Sequence, residues 1–284
     1  MSGAWRLRVN PGGLVGVSVV IVVLVLAVVG PVIAPYDPTA QVLRDRLLPP
    51  AWASDGSLAH VLGTDGNGRD LLSRILAGTQ LSVAIALGAV AIGAGIGVPA
   101  GIAAGLRGGW FDLVAGRLAD IQQSIPFMVL ALAVVGVLGP SLVNLVVVLG
   151  FGSWFAWYRV VRGEVLALRE RPFVEAARAV GIGDRRLVIG QLWRNLVPSL
   201  IVLATLWLPQ AIVYTAGLSF LGLGVPPPAP EWGRLISDGS ESLARAPWVA
   251  LAPSVVLVVT VLGLTLAGDW LRDAVDPVRR GRRG

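Results

Sequence analysis

The sequence predicts an all-α polytopic membrane protein with six spanning helices, and three observations carry that prediction. Hydrophobic residues make up 55% of the 284-residue chain and charged residues only 14%, with a mean hydropathy of +0.76, outside the range of soluble globular proteins. Uncharged runs recur that reach the roughly 20 residues a helix needs to cross a hydrocarbon core. Within those runs the apolar residues are continuous rather than alternating, which excludes a transmembrane β-barrel.

The first run, residues 14–34, ends at Pro35-Tyr36-Asp37-Pro38. It is too long for a signal-peptide core and lacks a convincing cleavage site, so it reads as a retained helix. With no ridge of small residues, it reads as a peripheral, lipid-facing span. A polar stretch follows to Arg74, and the uncharged run 75–106 holds span two over about 80–104. The run 121–158 is too long for one helix, and Gly139-Pro140-Ser141 divides it into spans three and four. Span three starts near Leu113, which places Arg117 and Asp120 near its end. Span five falls at about 196–217 and span six at about 249–267.

Six spans put both termini on one side. Assigning that side to the cytoplasm gives it Arg6, Arg8, Arg107, Arg117, the eight arginines from Arg159 to Arg194 and the five from Arg272 to Arg283. The other side keeps six: Arg44, Arg46, Arg69, Arg74, Arg234 and Arg245. The positive-inside rule then orients the chain N-in and C-in. The same bias explains a sequence pI of about 11.0 without nucleic acid as a partner.

Composition also excludes chemistries. All 23 basic residues are arginine, and a Walker A loop needs a lysine, so this chain is not an ATPase. It has no cysteine, and its only histidine is His60. No metal site and no thiol chemistry are expected within it. Gly152-Ser153 does not make an intramembrane protease, because the lone histidine lies in a loop.

Three segments stand out. Between spans four and five, Glu175-Ala176-Ala177 precedes Gly181 and Asp184 in an arginine-rich stretch. This predicts a small-residue helix, a Gly turn and a second helix start capped by Asp184. Alanines let such a helix seat closely in a partner's groove, and Glu175 offers a carboxylate. An ordinary amphipathic connector fits these residues as well. Just before span two runs His60-Val61-Leu62-Gly63-Thr64-Asp65-Gly66-Asn67-Gly68-Arg69-Asp70-Leu71-Leu72-Ser73-Arg74. A calcium loop fails there, since Arg69 sits at a ligand position, Asp70 replaces the glycine and Leu76 the glutamate. A structural role fits better, with aspartates capping helix starts and pairing with Arg69 or Arg74. After span five comes Leu218-Ser219-Phe220-Leu221-Gly222-Leu223-Gly224-Val225-Pro226-Pro227-Pro228-Ala229-Pro230-Glu231-Trp232-Gly233. Its prolines predict an extended polyproline exit, and Trp232 and Trp248 suit the membrane interface. Within span two, Gly93, Gly97, Gly101 and Gly105 recur every four residues, a ridge that admits another helix to backbone contact.

These motifs resemble the permease subunits of binding-protein-dependent ABC importers. The Glu175 segment is similar to their "EAA" coupling loop. The His60–Arg74 motif, the Leu218–Gly233 stretch and the ending Gly268-Asp269-Trp270-Leu271-Arg272-Asp273-Ala274-Val275-Asp276-Pro277 look like signatures of the second (C-type) permease in the dipeptide/oligopeptide/nickel branch. The matches run from Asn10-Pro11 to Pro277. The chain departs at Gln80, where the branch carries arginine, and at Gln191 and Arg194, where it carries histidine and proline.

The resemblance implies the type I ABC importer permease fold with a cytoplasmic coupling loop at about 164–195. It divides the chain into residues 1–74 (tail, first helix and extracytoplasmic segment) and 75–284 (core permease domain). It implies a bacterial cytoplasmic membrane location and four kinds of partner: a second homologous permease, ABC ATPase subunits that bind ATP and Mg, an extracytoplasmic solute-binding protein and the lipid bilayer. No catalysis is expected in the chain itself. Peptides are the expected cargo, with nickel or another small solute as the alternative. An ion-coupled secondary transporter is the rival class, and the scarcity of charged residues in mid-span speaks against it. Gln210 and Tyr214 share one face of span five with Thr215 adjacent. Neutral hydrogen-bonding groups there suit a translocation path, or equally a bond to a neighbouring helix.

Overall fold

In hydrocarbon a segment must satisfy its backbone polar groups internally, so each long apolar run folds as helix. The computed structural model describes residues 11–172, 174, 183, 190 and 192–275. The helices are α1 Pro11–Ile33, α2 Leu71–Arg107, α3 Gly109–Ser124, α4 Phe127–Leu138, α5 Leu142–Arg169, α6 Trp193–Phe220, α7 Trp232–Ser240 and α8 Pro247–Val275. Among the described residues, α1, α2, α5, α6 and α8 are each long and apolar enough to cross a membrane; α3 and α4 are so only when taken together, bent by 90° at the break between them, which makes five spans, or six if that pair is one.

Span three was expected as one helix from near Leu113. It breaks because Pro126 carries no N–H and pushes Ile125 to extended backbone, φ −93° and ψ 125°. Span two begins nine residues earlier than about residue 80. Asp70 caps α2, its carboxylate accepting from the Ser73 N–H at 2.8 Å, and this starts the helix at Leu71. A division of the chain at residue 74/75 therefore runs through the first turn of α2. Ser141 caps α5 in the same way, accepting from the Asn144 N–H at 3.1 Å.

The largest helix pairing is α2 along α5, while α1 lies outside against α8 and α2, and α7 packs on α8 and α6. As expected, α1 is mostly exposed, with Val28 at 73% and Val32 at 83%. Its contact is nonetheless built on small residues: a Cβ at Gly16 would lie 2.5 Å from Ala267 N, and one at Gly30 would lie 2.8 Å from Leu76 O.

Two expectations about the stretch after α6 are corrected. The prolines do not form an extended polyproline run: residues 227–229 turn, with a cis Pro227–Pro228 bond. Trp232 is not an interfacial residue but is wholly buried, its indole N–H donating to the Ile75 carbonyl at 3.4 Å. Glu231, also buried, caps α7 by accepting from the N–H groups of Gly233 and Arg234 at 2.9 and 3.1 Å. Trp248 is half-buried and donates to the Thr64 carbonyl at 3.4 Å.

Candidate functional site

Sequence spacing becomes contact along the α2–α5 seam. A Cβ at Gly93 would meet Ser153 Oγ at 2.0 Å, at Gly97 the Trp154 carbonyl at 2.3 Å, at Gly101 the Tyr158 carbonyl at 2.8 Å and at Gly105 Val165 Cβ at 2.7 Å. All four glycines thus face α5 of the same chain, one per turn of α2. Trp157 and Val161 of α5, both buried, close the seam.

The residue 60–74 motif folds into a charge cluster at the start of α2. Asp65, 1% exposed, accepts from Arg69 Nε at 2.7 Å, from the Arg74 guanidinium, and from the N–H groups of Asn67 and Arg69 at 2.8 and 3.0 Å. Arg74, also 1% exposed, and Arg69 reach Asp238 of α7 at 3.6 and 3.5 Å. His60 Nδ1 lies 2.9 Å from Asp70 Oδ1. The cluster ties the segment before α2 to α7, a connection between distant parts of the chain that spacing does not announce. Gly68 permits the turn: its φ is +73°, and a Cβ there would sit 1.9 Å from the Val42 carbonyl oxygen. Nearby, Asp37 accepts from the Thr39 hydroxyl and N–H, both at 2.7 Å. Those bonds favour the carboxylate and hold the Asp37 carboxyl below its ordinary pKa.

A polar seam that sequence reading missed joins α3 to α5. Arg162 clasps Asp112 with two nitrogens, one at 2.6 Å, and the Tyr158 hydroxyl donates to the same carboxylate at 3.0 Å. Asp120 pairs with Arg159. Gln122 accepts from the Trp154 indole at 2.5 Å and donates to the Phe151 carbonyl at 3.0 Å. The signal was present in the sequence: two aspartates eight residues apart on α3 face two arginines on α5. Asp112 and Asp120 are thereby each paired with an arginine.

The three translocation-path candidates separate. Gln210 is exposed on α6 and Tyr214 half-buried. The Tyr214 ring packs on Phe127, with centroids 4.5 Å apart, beside a void of about 10 Å³ that Ser153 and Trp207 also line. Thr215 is buried, and its hydroxyl donates to the Ala211 carbonyl at 2.8 Å. One residue further along a helix is about 100° around it, so Thr215 leaves the face that Gln210 and Tyr214 share.

Glu175, Ala176, Ala177, Gly181 and Asp184 lie outside the described residues. What leads into them is described: Val174 is fully buried in a cluster with Val161, Val165, Leu192 and Leu196. The ends of α5 and α6 therefore pack together around the loop's entry. Among the described residues no group of three or more His, Cys, Asp or Glu side chains is placed to hold a metal ion.

Residues 97–281 match the family described as binding-protein-dependent transport system inner membrane component. Residues 2–50 match the N-terminal TM domain of oligopeptide transport permease C. The chain is 40% identical to the di/tripeptide transport system permease protein DppC of Pseudomonas aeruginosa, over 94% of this chain and 88% of that protein. It is 37% identical to the dipeptide transport system permease protein DppC of Haemophilus influenzae, over 94% and 91%. It is 38% identical to the glutathione transport system permease protein GsiD of Escherichia coli, over 92% and 85%. In structure it is similar to a chain of the MetNI methionine ABC transporter in an inward-facing conformation, with a TM-score of 0.57 and 23% identity, covering 72% of this chain and 97% of that one. That likeness is one of fold, and the fold is the type I permease fold of ABC importers. The family match over residues 97–281 and the near full-length similarity agree: the chain belongs to the inner-membrane permeases of binding-protein-dependent ABC importers.

Proposed function

We propose that this chain forms half of the pore of an ATP-driven importer whose cargo is di- and oligopeptides. The carrying observation is its likeness, over nearly its whole length, to permeases named for dipeptides and tripeptides. A second permease completes the pore, paired ATPases bind ATP and Mg, and a solute-binding protein delivers the cargo. The chain itself performs no chemistry, which fits its lack of lysine. Both termini lie in the cytoplasm, in keeping with the arginine bias. Its carboxylates Asp112 and Asp120 are spent on arginines, which leaves neither as a free protonatable site for ion coupling.

In this reading Glu175, Ala176, Ala177, Gly181 and Asp184 form the surface that an ATPase grips. Nucleotide shifts the pore between two states only through its different affinity for them, and the loop transmits that difference. The test is purification of the full chain from its native membrane in mild detergent, followed by reconstitution with the co-purified subunits. A Walker A-containing ATPase should co-purify, and labelled tripeptide should enter the vesicles in an ATP-dependent way. Glu175→Arg should lower that uptake by about tenfold or more, the scale of a lost intersubunit coupling. Purification without any ATPase, or full uptake by the variant, overturns the proposal.

Gln210 and Tyr214 are proposed to line the path. In this cysteine-free chain, Gln210→Cys and Tyr214→Cys should react with a membrane-impermeant thiol reagent in at least one nucleotide state. Thr215→Cys, whose position is buried, should resist in all of them. Protection of positions 210 and 214 in every state would remove both from the path.

A further inference from the structure

The surface of α3 is divided lengthwise into three sides. Ala115 and Ala119 are buried and turn one side to the bundle. Val114, Leu118 and Ile121, 44, 54 and 60% exposed, follow one another at helical spacing as an apolar side. Arg117, Asp120 and Ser124, also exposed, lie at spacings of three and four and form a separate polar edge. Lipid suits the apolar side, whereas charged groups within a span meet water or protein. The helix breaks just beyond this edge, and Ser124, Ile125 and Pro126 are all exposed. Irregular backbone at membrane depth is tolerated only where it is buried in protein or lines a water-filled cavity.

Arg159 of α5 completes the edge by pairing with Asp120. The neighbouring Tyr158 carbonyl lies against Gly101 of α2, and α2 runs about 9 Å further before it next carries a charge, at Arg107. The pair therefore sits inward of Arg107, on the membrane side. Asp120 and Arg159 are 57% and 43% exposed, against 19% and 37% for Asp112 and Arg162 one turn away. Arg162 grips Asp112 with two nitrogens and Tyr158 adds a third bond, whereas Arg159 reaches Asp120 through one nitrogen. One pair is locked and the other can open. One turn before Arg159, Phe155 meets the Trp207 ring of α6, with centroids 6.4 Å apart. Trp207 and Tyr214 are two turns apart on one face of α6, which Gln210 shares. The open pair thus continues the α6 face already proposed as the path.

We infer that Asp120 and Arg159 line the mouth of the path at the Arg107 end and hold the charged ends of a passing peptide, its ammonium on Asp120 and its carboxylate on Arg159, with Arg117 beside. The inference rests on the reading of peptide as cargo and of the Gln210–Tyr214 face as path. A half-exposed ion pair is weakly held, so the two ends of a zwitterion displace it cheaply, each taking the place of the opposite partner. Because the pair has no net charge, it creates no deep well for a cation or an anion alone.

The experiment uses inside-out vesicles of native membrane holding the whole transporter, with Ser124→Cys in this cysteine-free chain as a reporter one turn from Asp120. A membrane-impermeant thiol reagent should label position 124. Trialanine should slow that labelling about fivefold more than N-acetyl-trialanine amide does, the upper end for one exposed charge pair. With Asp120→Asn and Arg159→Gln added, labelling should persist and the two peptides should protect alike. Equal protection by the two peptides while the native pair is present overturns the inference, as does a preference that survives the double substitution. So does a reporter that stays unlabelled in every nucleotide state, or one that a thiol crosslinker ties to another polypeptide, which would set the edge against the second permease. Gln210→Cys and Tyr214→Cys separate the two ways of failing. If they react and position 124 does not, the path stands and this inference alone falls; if none of the three reacts, the path reading falls with it.

Discussion

Asp65→Ala is expected to destabilise the fold by about 3–5 kcal/mol, because it breaks a buried charge cluster from one side only. Asp65 holds two guanidinium groups that are 6% and 1% exposed, and without it Arg69 and Arg74 keep, among the described residues, only Asp238 as a carboxylate partner, at 3.5 and 3.6 Å. The two N–H groups of the Asn67–Arg69 turn lose their acceptor as well. Asp65→Asn should be milder, since the amide oxygen still accepts those N–H bonds. Adding Arg74→Leu to Asp65→Ala should recover part of the loss, because an apolar side chain no longer demands a countercharge. Thermal unfolding of the three variants in detergent reads these differences. A change within about 0.5 kcal/mol for Asp65→Ala, the size of an ordinary surface effect, would show that the cluster contributes no net stability.

Gly97→Leu should cost about 3 kcal/mol or more, since its Cβ alone would lie 2.3 Å from the Trp154 carbonyl, 2.5 Å from Trp157 Cβ and 2.9 Å from Tyr158 N. Two of those atoms are backbone and cannot rotate away, so α2 and α5 must separate. Their pairing is the most extensive among the described helices, and the loss should appear as a lower unfolding temperature and a fall in membrane-inserted protein. Two residues away, Gly95→Leu meets nothing within 4 Å and even gains helix propensity. The two substitutions are chemically identical and only two residues apart. Equal stability of the pair would mean that the α2–α5 seam does not exist as described.

Several parts of this molecule were legible before any coordinates. The recurrence of Gly93, Gly97, Gly101 and Gly105 announced a close helix contact, because period four on a helix is one face. The Gly139-Pro140-Ser141 break placed a turn where α4 ends and α5 begins, and Asp70 was suited to cap. Other parts were not legible. Pro126 broke the third span inside an uncharged run, at a site that hydropathy alone passes over. Trp232 resembled an interfacial tryptophan by position, but its partner carbonyl lies 157 residues away.

By itself the sequence determined which segments leave water and that they do so as helices, because the cost of an unsatisfied backbone in hydrocarbon is a local matter. It determined the family too, since the His60–Arg74 and Leu218–Gly233 motifs are contiguous strings. Only the tertiary structure decided which face of α2 meets α5 and which lies open, for both faces carry small residues. It also decided that Arg74 is interior rather than at the surface. A buried arginine is tolerable only where carboxylates converge on it, and those of Asp65 and Asp238 are brought together by folding alone.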